Sequence, residues 1–198
     1  ITGEVITEQV KTIRSVPLTI DYKGLIEIQG EGLMRKSVLT KLNETSEGAL
    51  KNERNAAAGA LRNLDPRITA SRKLDAFFYS VGYADGVKFN SHTEMLEFLR
   101  KERFPVSDAV ELYSSIDELA KALESSDKKR KAEDFLIDGM VIKINDMRIR
   151  EILGHTDKFP RWAVAYKFEA EEMTTKLINV DWQVGRTGKI TPLATVEP

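Results

Sequence analysis

Asp134-Phe-Leu-Ile-Asp-Gly-Met-Val-Ile-Lys-Ile-Asn145 decides how this chain is read. Met140, Val141, Ile142 and Ile144 are strand formers, and the run is too short for an ordinary helix, so it predicts a β-strand entered through Asp138-Gly139. Lys143 stands between two isoleucines in a run that reads as buried on both faces. An unpaired buried charge is costly, so its ammonium must find water, a carboxylate or an anionic ligand. Two readings stay open: an edge strand whose lysine reaches back to water, or a lysine aimed at an anion. Asp138 is equally two-sided, because Asp-Gly also marks ordinary turns.

Working outward, Thr156-Asp-Lys-Phe-Pro-Arg-Trp-Ala-Val-Ala-Tyr-Lys-Phe168 supplies a second apolar run with one embedded lysine, Lys167, after Pro160. Two such lysines on neighbouring strands would make a fixed positive patch suited to a phosphate, each acting as a point charge.

The bulk numbers bound what this patch can serve. With 198 residues, 41% hydrophobic and 31% charged, the chain reads as globular, with room for one sizeable core and the start of a second. Lys and Arg number 30 against 31 Asp and Glu, so no global field draws it to a polyanion and any such site is local. The absence of cysteine removes disulfides and thiolate metal sites, and two histidines argue against a histidine-rich one. No signal peptide or apolar run of spanning length occurs in the sequence, which sets the expectation of a cytoplasmic protein with no membrane partner.

Ile6, Val10 and Ile13 predict a helix over about residues 3 to 14, ended by Ser15-Val16-Pro17. Short strands are expected at Leu18 to Tyr22 and Leu25 to Gln29, the second leading into Gly30-Glu31-Gly32, where Glu31 is either a solvated turn residue or receives a ligand hydroxyl. Val38, Leu39 and Leu42 mark another helix, and Asn52 to Asp65 a further one, with an alanine run between Arg54 and Arg62. From Lys51 to Asp75 six basic residues stand against three acidic ones, either a solvated face or a phosphate contact. Leu74 to Tyr83 predicts a core strand, followed by a turn at Asp85-Gly86. Capping boxes at Ser91-His-Thr-Glu94 and Ser115-Ile-Asp-Glu118 open two helices, with a short strand at Val110 to Tyr113 and a polar loop over 125 to 134. His92 and His155 carry no assigned chemistry. Val180 to Val184 and Ile190 to Val196 predict a hairpin around Gly185-Arg-Thr-Gly188.

Taken in order, Gly3-Glu4, Thr12-Ile-Arg-Ser-Val-Pro17, Glu27-Ile-Gln-Gly-Glu31, Arg54-Asn-Ala-Ala-Ala-Gly59, Leu64-Asp-Pro-Arg-Ile-Thr69, Ile137-Asp-Gly-Met-Val-Ile-Lys143, Pro160-Arg-Trp-Ala-Val-Ala-Tyr-Lys167 and Gln183-Val-Gly-Arg-Thr-Gly188 resemble the NAD⁺-dependent DNA ligases of bacteria over almost the whole chain. The resemblance implies an α+β fold: a nucleotidyltransferase (ATP-grasp-like) arrangement of antiparallel sheets with flanking helices over residues 1–172, lacking its N-terminal part, then the first strands of an OB-fold over 173–198. It implies an enzyme of DNA repair and replication that seals nicks in duplex DNA using NAD⁺ and Mg²⁺, as a monomer in the bacterial cytoplasm at the nucleoid. The family's zinc site would lie outside this sequence.

By that resemblance Glu31 contacts the adenosine, Lys143 and Lys167 face the phosphate, and Asp138 takes part in catalysis and is a candidate Mg²⁺ ligand. Arg54, Arg62 and Arg130 align with arginines used around the nucleotide or the nicked DNA. The family's nucleophilic Lys-x-Asp-Gly has no match: three before Gly86 stands Tyr83, and three before Gly139 stands Leu136. This chain by itself is therefore expected not to adenylate itself. Glu53, Gln29 and Leu136 also depart from the family's usual residues. Two alternatives remain at this point: an ATP-dependent or capping-type nucleotidyltransferase, against which the Ala-Ala-Ala-Gly and Gln-Val-Gly-Arg-Thr-Gly segments speak, and a non-catalytic nucleotide- or DNA-binding relative.

Overall fold

The computed structural model describes residues 3–45, 50, 52–168 and 173–197, in two units, Ile1–Lys167 and Phe168–Pro198. Lys51 of the basic stretch and residues 169–172, where the expected domain boundary falls, lie outside the described residues. The first unit runs α1 (Thr7–Val10), β1 (Ile26–Leu33), α2 (Lys36–Thr45), α3 (Glu53–Leu61), α4 (Pro66–Ser71), β2 (Asp75–Ala84), α5 (His92–Lys101), α6 (Ile116–Ala132), β3 (Gly139–Lys143), α7 (Met147–Leu153) and β4 (Ala163–Lys167). The second holds β5 (Leu177–Val184) and β6 (Ile190–Val196). Helices thus accompany small antiparallel sheets, β1 with β2, β3 with β4 and β5 with β6.

Local chemistry starts most of these helices. Asn52, Asp65, Ser91, Ser115 and Asp146 each accept a hydrogen bond from a backbone amide of the first turn, satisfying donors a helix start leaves open. On α3 the alanine run becomes core: Ala56, Ala57 and Ala60 are buried with Ile13, Met34, Leu74 and Ala76. A second cluster gathers Val81, Met95, Leu96, Leu99 and Val106 between β2 and α5. Phe78 of β2 packs against both. Strands β1 and β2 approach closely at Gly30, where a Cβ would lie 2.8 Å from the Phe77 carbonyl oxygen.

Several expectations fail for physical reasons. The helix expected over 3 to 14 keeps only one turn, α1, because the Thr12 hydroxyl donates to the Gln9 carbonyl (2.7 Å) and the next amides bond three residues back, which turns Ile13 into the core. Leu18 to Tyr22 is not a strand: Glu102 accepts from the Asp21 and Tyr22 amides (2.7 and 3.0 Å) and Arg103 donates to the Thr19 carbonyl, so side chains replace a strand partner. Gly30-Glu31-Gly32 is no turn but part of β1. Val110 to Tyr113 pairs with no strand, and Glu111 instead meets Lys129 at 2.8 Å. The polar loop expected over 125 to 134 is helical to Ala132. Ser125 and Ser126 satisfy carbonyls three residues back, and Asp127 pairs with Arg130 (2.6 Å) and Lys131 (3.1 Å) at helical spacing. Finally, the Lys143 strand is not buried on both faces, since Val141 is 60% exposed on a two-stranded ribbon.

In the second unit apolar and polar positions alternate along β5 from Asn179. Val180, Trp182 and Val184 stand opposite Ala194, Pro192 and Ile190, while Asn179, Asp181 and Gln183 stand opposite Thr195, Leu193 and Thr191, and both strands are exposed throughout. The turn places Gly188 at φ +79°, a left-handed conformation that glycine adopts without strain. Among the described residues no helix is long and apolar enough to cross a membrane.

Leu99 has no exposed surface in the second cluster. Leu99→Ala should lower unfolding free energy by about 2–5 kcal/mol, read as a drop in the urea midpoint, with a slope that stays near wild type if both states remain comparable.

Candidate functional site

The ribbon β3–β4 pairs Gly139 with Lys167, Val141 with Ala165 and Lys143 with Ala163. Directly opposed residues share a face and side chains alternate, so Lys143 and Lys167 project from the same face, about 14 Å apart along the strands at ~3.4 Å per residue. A Cβ at position 139 would lie 2.5 Å from the Tyr166 carbonyl oxygen, so glycine lets the strands close where Asp138 enters. The backbone leading into β3 is held from two sides. Asp134 accepts from the Ser37 amide and hydroxyl (2.9 and 2.6 Å), and Phe135 packs on Phe77 at 5.4 Å between ring centroids.

At the Gly139 end a chain of charges forms. Lys167 Nζ donates to Asp138 Oδ2 (2.9 Å), Arg54 Nη1 lies 3.5 Å from the same oxygen, and Arg54 Nη2 lies 3.6 Å from Glu31 Oε1. The Lys167 hydrogen bond, helped by the charges of Lys167 and Arg54, holds the Asp138 carboxyl below the usual carboxylate range. All four side chains are more than half exposed, and such pairs contribute at most about 1 kcal/mol each. The chain of pairs therefore fixes which residues face one another while leaving each free to exchange its partner for a ligand.

Four predicted site residues, Glu31, Arg54, Asp138 and Lys167, are thus brought together from β1, α3 and the β3–β4 ribbon. Arg62, at the end of α3, pairs with Glu4 at 3.3 Å instead. Arg130 lies on α6, bonded to Asp127 and, at 3.4 Å, to the Ile137 carbonyl next to Asp138. It belongs to a helix rather than a loop.

Lys143 sits in different surroundings. Its ammonium lies 5.2 Å from the centre of the Tyr79 ring, and among the described residues no carboxylate is within 4 Å of it. Tyr79 is an extra residue in a β-bulge, since Gln29 pairs with Ser80 and Gly30 with Phe78. A bulge re-aims a side chain, and here it turns Tyr79 out of the strand's alternation. Behind the ribbon stands Arg150 of α7, 5% exposed, its guanidinium 4.3 Å over the Trp162 ring and its Nη1 3.5 Å from His92 Nδ1. Arginine offers no acceptor, so His92 Nδ1 accepts and the ring proton sits on Nε2. Burial pushes the His92 pKa down to about 4, with repulsion from Lys143 and Arg150 adding to it. Burial, then Arg150, also pushes the Lys143 ammonium down from the ordinary lysine value. Tyr79, His92, Arg150 and Trp162 escape the sequence reading, because each reads as an ordinary core or helix residue until the fold sets them behind Lys143.

The family model for the NAD-dependent DNA ligase adenylation domain matches residues 1–171. The chain belongs to this family. A DNA ligase of Alkaliphilus metalliredigens is 57% identical over 198 residues, covering 100% of this chain and 30% of that protein. One from Alkaliphilus oremlandii is 58% identical over 197 residues, again 100% of this chain and 30% of the relative. DNA ligase 2 of Clostridium acetobutylicum is 50% identical over 196 residues, 99% of this chain and 29% of that protein. This adenylation-domain chain thus spans about 30% of the length of the curated relatives it matches.

His92 generates a stability prediction. Its folded pKa, about 4, lies below the ordinary 6.5, so the unfolded chain binds the extra proton first as pH falls. Its contribution is full above about pH 6.5 and is lost as pH drops toward 4. Melting temperature should fall across that window, and His92→Gln should flatten the slope. Equal slopes in the two proteins would remove His92 from the acid response.

Proposed function

We propose that this chain provides the nucleotide- and phosphate-facing part of a DNA ligase that seals nicks in duplex DNA with NAD⁺ as the AMP donor. The observation that carries the reading is the gathering of Glu31, Arg54, Asp138 and Lys167 beside a ribbon whose same face presents Lys143, in a chain of the NAD-dependent ligase adenylation family. Membership of that family favours NAD⁺ over ATP. The corresponding architecture is a nucleotidyltransferase over residues 1–172 followed, from 173, by the first strands of an OB-fold. The apolar face of the β5–β6 hairpin supports this, because it has the pattern of an inward barrel wall.

Each of the three steps exchanges one bond at phosphorus. A lysine amine attacks the α-phosphorus of NAD⁺ and nicotinamide mononucleotide leaves. The 5′-phosphate of the nick then takes the AMP and frees the lysine, and the 3′-hydroxyl attacks that phosphate with AMP leaving. The attacking lysine is not among these residues, so they bind, orient and stabilise charge. Glu31 accepts a hydroxyl of the adenosine. Lys143 meets the transferring phosphate with a charge that no carboxylate offsets. Lys167 moves from Asp138 to a phosphate oxygen, which leaves Asp138 to orient it. Arg54, released from Glu31 and Asp138, turns with Arg62 and Arg130 toward nucleotide or DNA phosphates.

Of the described residues Asp138 is the candidate Mg²⁺ ligand, and an ion held there would take its remaining ligands from phosphate oxygens and water. Among the described residues no group of three His, Cys, Asp or Glu is placed to hold a metal, and Asp138 already faces two cations. We place the protein in the bacterial cytoplasm at the nucleoid, working as a monomer.

A protein of the relatives' full length carrying this sequence should gain the mass of one AMP from NAD⁺ in the presence of Mg²⁺. Gain from ATP instead would move it to another class, and no gain from either would leave a binding module. In that protein Lys143→Ala should slow sealing by roughly 10²–10³-fold. Glu31→Ala should weaken nucleotide binding more than DNA binding, and the opposite order would contradict its assignment.

A further inference from the structure

Arg150 is the least exposed charged side chain near the candidate site and the only described residue with a buried side-chain nitrogen, Nη2, that has no hydrogen-bond partner. Its Nε–H donates to the Ile144 carbonyl at 2.5 Å, one residue beyond Lys143. The Ile144 amide in turn donates to the carbonyl of Trp162 at 3.0 Å, and the Arg150 guanidinium lies on the Trp162 indole. Trp162 immediately precedes β4. The residues just beyond the last pair of the ribbon, Lys143 with Ala163, are therefore joined through one guanidinium.

Burial of this kind is costly for an arginine that has no carboxylate within 4 Å among the described residues. A hydrophobic side chain could fill the space against Trp162, and only a cation adds charge behind Lys143. We infer that Arg150 is a positioning residue for the proposed phosphate site: it clamps the open end of the β3–β4 ribbon and sets a second, unneutralised positive charge behind the Lys143 ammonium. The inference rests on the reading in which Lys143 meets a phosphate.

Tyr79 of β2 lies against Lys143, and His92 of α5 and Arg150 of α7 are the titratable groups near enough to act on it through charge. His92 is neutral near pH 7 and Tyr79 offers its ring, so neither offsets the two cations. An anion entering beside Lys143 would meet two positive charges inside a half-buried setting, where charges are screened less than on an open surface. Lys167 differs, because Asp138 already neutralises it.

The test follows Lys143 by NMR of labelled lysine side chains in this chain, as wild type, Arg150→Gln and Arg150→Lys, with inorganic phosphate as the probe and thermal unfolding to confirm that each is folded. In the wild type Lys143 should lose its proton at lower pH than a free lysine. Arg150→Gln should move that midpoint upward and weaken phosphate binding, whereas Arg150→Lys should hold the midpoint near wild type. At the relatives' full length, Arg150→Gln should slow nick sealing roughly tenfold or more, because a hydrogen bond and charge near the reacting phosphate are lost. It should also shift the alkaline fall of the rate to higher pH. Arg150→Lys should lose rate without that shift, since lysine keeps the charge but neither the planar stack nor the Nε bond. A Lys143 midpoint at the free-lysine value in the wild type overturns the inference without any variant. So does a midpoint unmoved in folded Arg150→Gln while the wild type seals nicks. A responsive midpoint in a protein that takes AMP from no donor would instead overturn the ligase reading.

Discussion

A two-stranded antiparallel ribbon has too little buried surface to hold its shape alone in water. The β3–β4 ribbon, five pairs long, carries or adjoins Asp138, Lys143 and Lys167, so the candidate site depends on how that ribbon is anchored. Its entry is tied by Asp134 to the start of α2 and by Phe135 to β2. Beyond Lys143 it is tied by Asn145, whose carbonyl accepts from the His92 amide (2.8 Å) and whose side-chain oxygen accepts from the Thr93 amide (3.1 Å). Arg150 and Trp162 close the same end from behind. The anchors use elements whose own positions are set by the two apolar clusters, which makes ribbon geometry a consequence of core packing.

The two halves of the site are built differently. Near Gly139 the charges are exposed, mutually paired and cheap to rearrange. Near Lys143 they are half-buried or buried, of one sign and fixed by aromatic rings. A ligand with a hydroxyl-bearing end and a phosphate would find exchangeable partners in one half and a fixed positive field in the other. Such a division suits the displacement at phosphorus proposed for this site, where substrate has to be admitted and then held still.

Much of this was legible in the residues. Short apolar runs with one embedded lysine and flanking Asp-Gly or Pro foretold β3 and β4, and Ser-x-x-Glu boxes foretold the starts of α5 and α6. These signals are local, so they survive without tertiary context. The failures share the opposite property. The length of α6 depended on Asp127 meeting Arg130 and Lys131 at helical spacing, weak pairs that the polar composition disguised as loop. The Leu18 to Tyr22 segment was decided by Glu102, about eighty residues away in sequence. Likewise, Tyr79 was displaced by a bulge and Arg150 joined to Trp162 by folding, and neither leaves a mark in periodicity.

The contrast between exposed and buried charge also gives the site two different responses to its medium. Added salt weakens exposed pairs, such as Arg54 with Glu31 and Asp138, more than it affects the buried guanidinium stacked on Trp162. In the proposed reading, loosening frees the carboxylates for a nucleotide, while the same ions weaken the long-range pull on a nucleic acid strand. Salt therefore tunes the exposed half of the proposed site while the buried half keeps its field.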